Sequence, residues 1–468
     1  MTAAQAWRLS AQELAGAYLR GDTDPVAVLD ALWARIDRLN PALNAIISRN
    51  PDATAAAQES AGRLRAGSPR SALEGIPFTI KDSILAAGMP CTWGSQILKD
   101  FMPTHDELPV ARLRAGGAVI VGKTNAPEFT LEGYTSNALF GTTRNPWDPR
   151  LTPGGSSGGA VAAVAAGLGT FAIGTDGGGS IRRPACHTGL VGLKPSIGRV
   201  ARGPSLPQIL LDFEVIGPIT RTVADAELVF RAIAGPDVYD RRSLYRIDDH
   251  HTGQPLRLLY VPRFGDAPLD PHVLTSTNAA ARSLAALKID VTEGELPFDV
   301  SPMVEFWPIL GQVGAAHVLA RHPGSENLVG ERMRAMAQEG RKVGAERYLA
   351  GIEAVDAFRR RVTACYEKFD LIMTPSAAAL PWDAEQPYPE TIDGRNVGPR
   401  GHAVYTGWVN ACGHPAIALP GEPAPSGMPT GFQLVGRFGS EDLLLEVARR
   451  YESANPWSSR WPALALRD

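Results

Sequence analysis

The sequence predicts an α/β fold in one large domain spanning residues 1–468, and three observations carry that prediction. Apolar runs of strand length alternate with segments of helical periodicity along most of the chain. No segment repeats at a fixed period, and no low-complexity tract interrupts the pattern. The proline- and glycine-rich stretches at 202–207 and 420–430 are too short to act as interdomain linkers.

Residues 1–65 are predicted to form an N-terminal helical region. Ser10 and Glu13 make a capping box ahead of "AQELAGAYLR", and Gly21 can end that helix. Asp24-Pro25 starts the next helix, with Val26, Leu29, Leu32, Trp33 and Ile36 on one face. "GIPFTIK" is a strand candidate ending at Lys81, where Pro77 marks either its beginning or an edge. "AVIVG" at 118–122 reads as a buried strand, "GAVAAVAAGLG" as a helix of small residues, and "TFAIGT" as the strand after it. "LVGL", "LRLLYV", "LIMTP" and "GFQLVGR" continue the strand series, and a last helix begins near Ser440. The stretch 236–400 is the least patterned, and insertions that shape a substrate pocket are expected there.

Charged residues are 20% of the chain and the net charge is −3, which argues against nucleic acid or an anionic membrane as a partner. Cys91, Cys186, Cys365 and Cys412 lie far apart with no C-x-x-C pair. That spacing excludes a disulfide framework or a cysteine zinc cluster and fits a reducing compartment. No His/Cys/carboxylate cluster has metal-ligand spacing, so no metal is expected. The opening "MTAAQAWRLSAQEL" lacks the basic and apolar regions of a signal peptide. Residues 151–175 carry no charge, but they open with glycines and serines and continue mainly in alanine, which reads as buried core and not as a membrane span. A soluble cytoplasmic protein is expected.

"GTDGGGSIRRPA" at 174–185 sets Gly177, Gly178 and Gly179 directly before Ser180. A phosphate loop would need Gly-Lys-Ser/Thr after the glycines, and a dinucleotide fingerprint would need different spacing. Bare backbone N–H groups beside a serine suit a developing oxyanion; a tight turn with a capping serine is the other reading. "TPGGSSGGAVAAV" places Ser156 and Ser157 between glycine pairs and formally contains G-x-S-x-G. The preceding "NPWDPRLTP" is too proline-rich to be the central strand of a nucleophile elbow. His187, His402 and His414 stand in no recognisable motif and are read as structural or surface residues. A serine nucleophile without histidine needs another base, and a lysine kept neutral by burial can serve. Lys81 directly follows an apolar strand, an unusual position for a solvated ammonium, although taken alone it also reads as an ordinary lysine at a strand end.

Taken in order, "GIPFTIKD", "TPGGSSGGAVAAVAAG" and "GTDGGGSIRRPA" resemble the amidase signature family. The likeness extends through "FGTTRNPWDP", "GLVGLKPSIGRV", "FEVIGPITRTVADAELV", "FDLIMTP" and "GMPTGFQLVGR". The resemblance implies an α/β/α sandwich, with helices around a large twisted mixed sheet. It implies hydrolysis of a small-molecule amide without metal or organic cofactor. Carried onto this sequence, it makes Ser180 the nucleophile, Ser156 a proton relay after a cis Gly155–Ser156 bond, and Lys81 the base. The N–H groups of Gly177, Gly178, Gly179 and Ser180 become the oxyanion hole. Ser157 would hydrogen-bond the loop at Thr130 and Leu131, residues that would border the substrate. Asp176 and Arg182 would brace the glycine loop, with Arg183 structural as well.

Leu131, Met303, Trp307 and Trp382 suggest an apolar or aromatic substrate, and a place in the core is the equal alternative for each. The A subunit of a tRNA-dependent amidotransferase shares all three motifs and is the alternative, and a homodimer is compatible with the resemblance. Two positions depart from the family: Gly177 replaces a bulkier residue, which would loosen the loop or widen the pocket floor, and Ala160 replaces a frequent serine.

Overall fold

The structure, a computed structural model, describes residues 3–245 and 255–466. Eleven strands form one mixed sheet. Across it the order is Ile46–Arg49, Val119–Thr124, Pro77–Lys81, Phe171–Asp176, Val215–Thr220, Val191–Lys194, Ala416–Pro420, Gly431–Gly436, Leu371–Pro375, Arg257–Tyr260 and Asp290–Glu293. Pro77–Lys81 runs parallel to both of its neighbours, whereas Phe171–Asp176 and Val215–Thr220 pair antiparallel. Helices cover both faces, as expected for an α/β/α sandwich.

Successive side chains on a strand point to opposite faces, and the core follows that period. Leu371 and Met373 pack with Phe78, Ile80, Phe171 and Ile173 on one face, where the rings of Phe78 and Phe171 stack 5.0 Å apart. Ile372 between them joins Val435, Phe306 and Phe358 on the other face. The small-residue helix, Gly158–Ala165, is buried along its whole length, and its lack of bulk lets it lie against the central strands.

The capping box forms as expected, with Ser10 and Glu13 exchanging both bonds at 2.8 and 3.2 Å and Gly21 left-handed at φ 73°. The N-terminal region is not helical throughout. Ile46–Arg49 forms the edge strand of the sheet, antiparallel to Val119–Thr124. Pro77 proves to be the first residue of an inner strand, not an edge. Residues 236–400 supply more than insertions, because three strands of the eleven-stranded sheet and the long helices Ser301–Arg321 and Ala345–Cys365 come from this stretch.

Val215–Thr220 escaped the strand series because Gly217 and Pro218 break its apolar run. The proline is tolerated because only Ile219 and Thr220 pair with Val191–Lys194 on that side. Among the described residues, no helix is long and apolar enough to cross a membrane.

Candidate active site

Lys81 ends a strand that is buried at every position. Ile80 lies opposite Ile173 of the neighbouring strand, and this register brings Thr175 alongside the lysine. Lys81 Nζ donates to Ser156 Oγ at 2.7 Å and to Thr175 Oγ1 at 2.8 Å, and the residue has no exposed surface. An ammonium removed from water is disfavoured relative to the neutral amine. Burial accordingly pulls the Lys81 pKa down to about 7; Glu214 and Asp176 oppose the shift and Arg202 assists it. Near neutrality a large fraction is free amine, able to take a proton from the hydroxyl it touches.

Ser156 follows a cis peptide bond from Gly155. The N–H of Ser157 donates to the Ser180 carbonyl at 3.2 Å, tying the serine loop to the glycine loop. The Ser157 hydroxyl does not reach the loop at Thr130 and Leu131. It donates instead to the Thr175 carbonyl at 3.2 Å, because Ser157 precedes the helix Gly158–Ala165 and packs against Gly174, which has no side chain to displace it. Thr130 is engaged elsewhere, donating to the Phe129 carbonyl at 2.6 Å and accepting from Trp93 Nε1 at 3.4 Å.

Asp176 and Arg182, both fully buried, form a two-pronged ion pair at 3.0 and 2.9 Å. Every arm of this pair is occupied. Asp176 also accepts from the backbone of Gly179 and Ile181 and from Asn410, while Arg182 reaches Gln433, Asn410 and the Thr406 carbonyl. Burial alone would raise the Asp176 pKa, but Arg182, Lys194 and Asn410 hold it well below the usual carboxylate range. Removing one partner leaves an uncompensated buried charge, which typically costs about 3–5 kcal/mol. Arg182→Met should therefore lower the urea midpoint by a corresponding amount; a loss under about 1 kcal/mol would contradict the bracing role.

The Gly179 N–H is already donated to Asp176 Oδ1 at 2.7 Å, so Gly179 does not offer a free donor. Gly177 and Gly178 border the cavity together with Ser180. Gly179 has φ 107°, and a Cβ there would stand 2.2 Å from Thr406 Oγ1; a Cβ on Gly178 would meet the Trp307 ring at 2.7 Å. Space beside Gly177 is not open, since Leu210 fills it with Cδ1 2.9 Å from where a Cβ would sit. Arg183 donates to the carbonyls of Gly178 and Gly155 and to Thr406 Oγ1, which joins the two loops from behind.

A cavity of about 590 Å³ opens onto this loop. Ser180 stands in its wall, whereas Ser156 and Lys81 lie behind it in the interior. Thr130, Leu131 and Trp307 line the cavity as expected, but Met303 belongs to the core and Trp382 packs between His187 and His402. All three histidines are buried. His187 and His414 contact backbone carbonyls, and burial pushes their pKa values down to about 4 and about 3. His402 lines the cavity, although the sequence offered no reason to place it there.

Thr175 lies within the glycine segment 174–185, where no sequence signal marks it as a partner of Lys81. Glu132, Arg332 and Arg400 were missed because their neighbourhoods carry no motif. Among the described residues no group of three or more His, Cys, Asp or Glu could hold a metal ion.

Comparison with known proteins identifies the family. The family model described as Amidase matches residues 27–445. The chain is 33% identical to an acylamidase of Rhodococcus erythropolis, over 98% of each chain. Identity is also 33% to the A subunit of the glutamyl-tRNA(Gln) amidotransferase of Roseiflexus sp. (strain RS-1), over 98% of this chain and 99% of that one. The solved structure of a bacterial aryl acylamidase, itself an amidase signature enzyme, superposes with a TM-score of 0.89 at 26% identity, covering 98% of this chain and 99% of the other. The chain belongs to the amidase signature family and is an amidase, a hydrolase of amides.

Proposed function

We propose that this amidase cleaves small carboxylic amides through an acyl-enzyme on Ser180, with Lys81 as the base and Ser156 as the relay. The contact that carries this reading is the 2.7 Å bond between Lys81 Nζ and Ser156 Oγ, held out of water behind a cavity-lining serine. Neutral Lys81 draws the Ser156 proton as Ser156 draws that of Ser180, and Ser180 Oγ bonds to the amide carbon. The N–H groups of Gly177, Gly178 and Ser180 face the developing oxyanion. The relay then runs backwards, protonating the nitrogen so that the C–N bond breaks and amine or ammonia leaves. Water repeats the sequence on the ester and releases the acid. No metal or organic cofactor enters these steps.

The apolar wall of Leu131, Leu210, Trp307 and Met336 supports an aryl or alkyl acyl amide, in line with the acylamidase relatives. A second reading, the glutaminase component of a tRNA-dependent amidotransferase, is favoured by equal identity to a protein of that kind. Turnover of an amide panel by the purified chain alone separates the two, since amide hydrolysis without a partner supports the first.

The lowered Lys81 pKa sets the pH dependence. Only the neutral amine accepts a proton, so kcat/KM should climb about tenfold per pH unit in acid and level off above about pH 7. An unshifted lysine would instead keep climbing toward its ordinary value of 10.5. A flat profile from about pH 5 to 9 would remove Lys81 as the base.

A further inference from the structure

The cavity is cationic in a way the chemistry at Ser180 does not use. Five charged side chains line it: Glu132, Arg183, Glu214, Arg332 and Arg400. Both carboxylates are already held, Glu132 by Arg332 at 2.8 Å and Glu214 by Arg202 at 3.0 Å. Burial also works against the charge of Glu132, raising its pKa to about 7. Arg183 is committed to carbonyl and hydroxyl oxygens of the loops. Burial and the like charge of Arg400 both lower its pKa, so the two guanidiniums feel each other across the cavity.

Arg400 remains. It is exposed at the cavity wall, and among the described residues it has no ion-pair partner. Its guanidinium carbon lies 4.7 Å from the centre of the Trp307 ring, and the far edge of the same indole presses against Gly178. One aromatic side chain thus links a free guanidinium to the loop beside the nucleophile. Arginine is well suited to hold a carboxylate with two parallel bonds.

We propose that Arg400 selects the substrate, favouring amides that carry a carboxylate separated from the scissile bond by an apolar spacer. The carboxylate pairs with Arg400, the spacer lies along Trp307, and the amide carbon meets Ser180. This inference rests on the hydrolytic reading of the site and deepens it. Arg400 touches the bound substrate but takes no proton, so its effect falls on recognition and not on the chemical step.

The test uses the full-length protein and para-nitroanilides of matched chain length: the neutral hexanoyl anilide and the adipoyl anilide, which ends in a carboxylate. A third substrate, the hexanoyl amide of para-aminobenzoate, carries the carboxylate on the amine side. At least one carboxylated amide should exceed its neutral partner in kcat/KM by about 10- to 100-fold, as expected for a charged hydrogen bond. Arg400→Gln should erase that advantage through KM while changing the neutral amide by less than about threefold, and Arg400→Lys should restore part of it. Which carboxylated substrate responds identifies the side of the amide that faces Arg400.

Equal turnover of neutral and carboxylated amides would overturn the proposal, as would an equal loss on both in Arg400→Gln. Fluorophosphonate labelling of wild type and variant keeps the two readings apart. Labelling and neutral-amide turnover without a carboxylate preference would sink the Arg400 inference alone. Their absence in the wild type would sink the hydrolytic reading beneath it.

Discussion

Ser180→Ala should reduce amide hydrolysis to the background of the uncatalysed reaction. Among the described residues no other serine stands at the cavity wall: Ser156 lies behind Ser180, and Ser157 points to the Thr175 carbonyl. Dismantling the nucleophile in a serine hydrolase costs on the order of 10⁶ in kcat, or about 8 kcal/mol of transition-state stabilisation. The fold should survive, since Ser180 lies in a loop held by Asp176 and Arg182 through other atoms. Unchanged thermal unfolding with lost activity is the expected pair of observations. Activity within about tenfold of wild type would place the nucleophile elsewhere.

Lys81→Ala should damage amide turnover far more than turnover of a matched nitrophenyl ester. An amide nitrogen must be protonated to leave, whereas an activated aryl oxide departs unaided. General acid–base catalysis contributes typically about 10²–10⁴ per role, and the amide needs both roles of the Lys81–Ser156 pair. The ester keeps the backbone donors of the glycine loop, each worth on the order of 10²–10³. Losses in kcat/KM should therefore differ by about 10² or more between the two substrates. Equal fractional losses would confine Lys81 to activating the nucleophile or to supporting the loop, and the leaving-group half of the mechanism would be withdrawn.

Much of this was legible in the residues. The strand ending at Lys81, the small-residue helix and the glycine run appear where their local chemistry put them, because each is set by short-range rules of periodicity and turn formation. Long-range pairing was less legible. Ile46–Arg49 reads as a continuation of helical sequence and becomes a strand only because Val119–Thr124 offers it a partner. The resemblance points Ser157 at a distant loop, but its direction depends on the bare face of Gly174, a contact between elements. Gly179 reads as a free donor because nothing in a sequence says that Asp176 folds back to take its N–H. Arg332 and Arg400 lie far from the signature motifs and enter the cavity only through the packing of Glu331–Gly340 and the turn before Gly407–Cys412.

The most direct measurement of the central claim is the site of covalent capture. The purified wild-type chain would be treated with a fluorophosphonate at about pH 8, where the lowered pKa leaves Lys81 largely neutral, then digested and mapped by tandem mass spectrometry. A single adduct on Ser180 is expected, and it should form at least about 100-fold more slowly in Lys81→Ala. An adduct on Ser156, Ser157 or a histidine, or labelling of Ser180 at an undiminished rate without Lys81, would contradict the Ser180–Ser156–Lys81 relay.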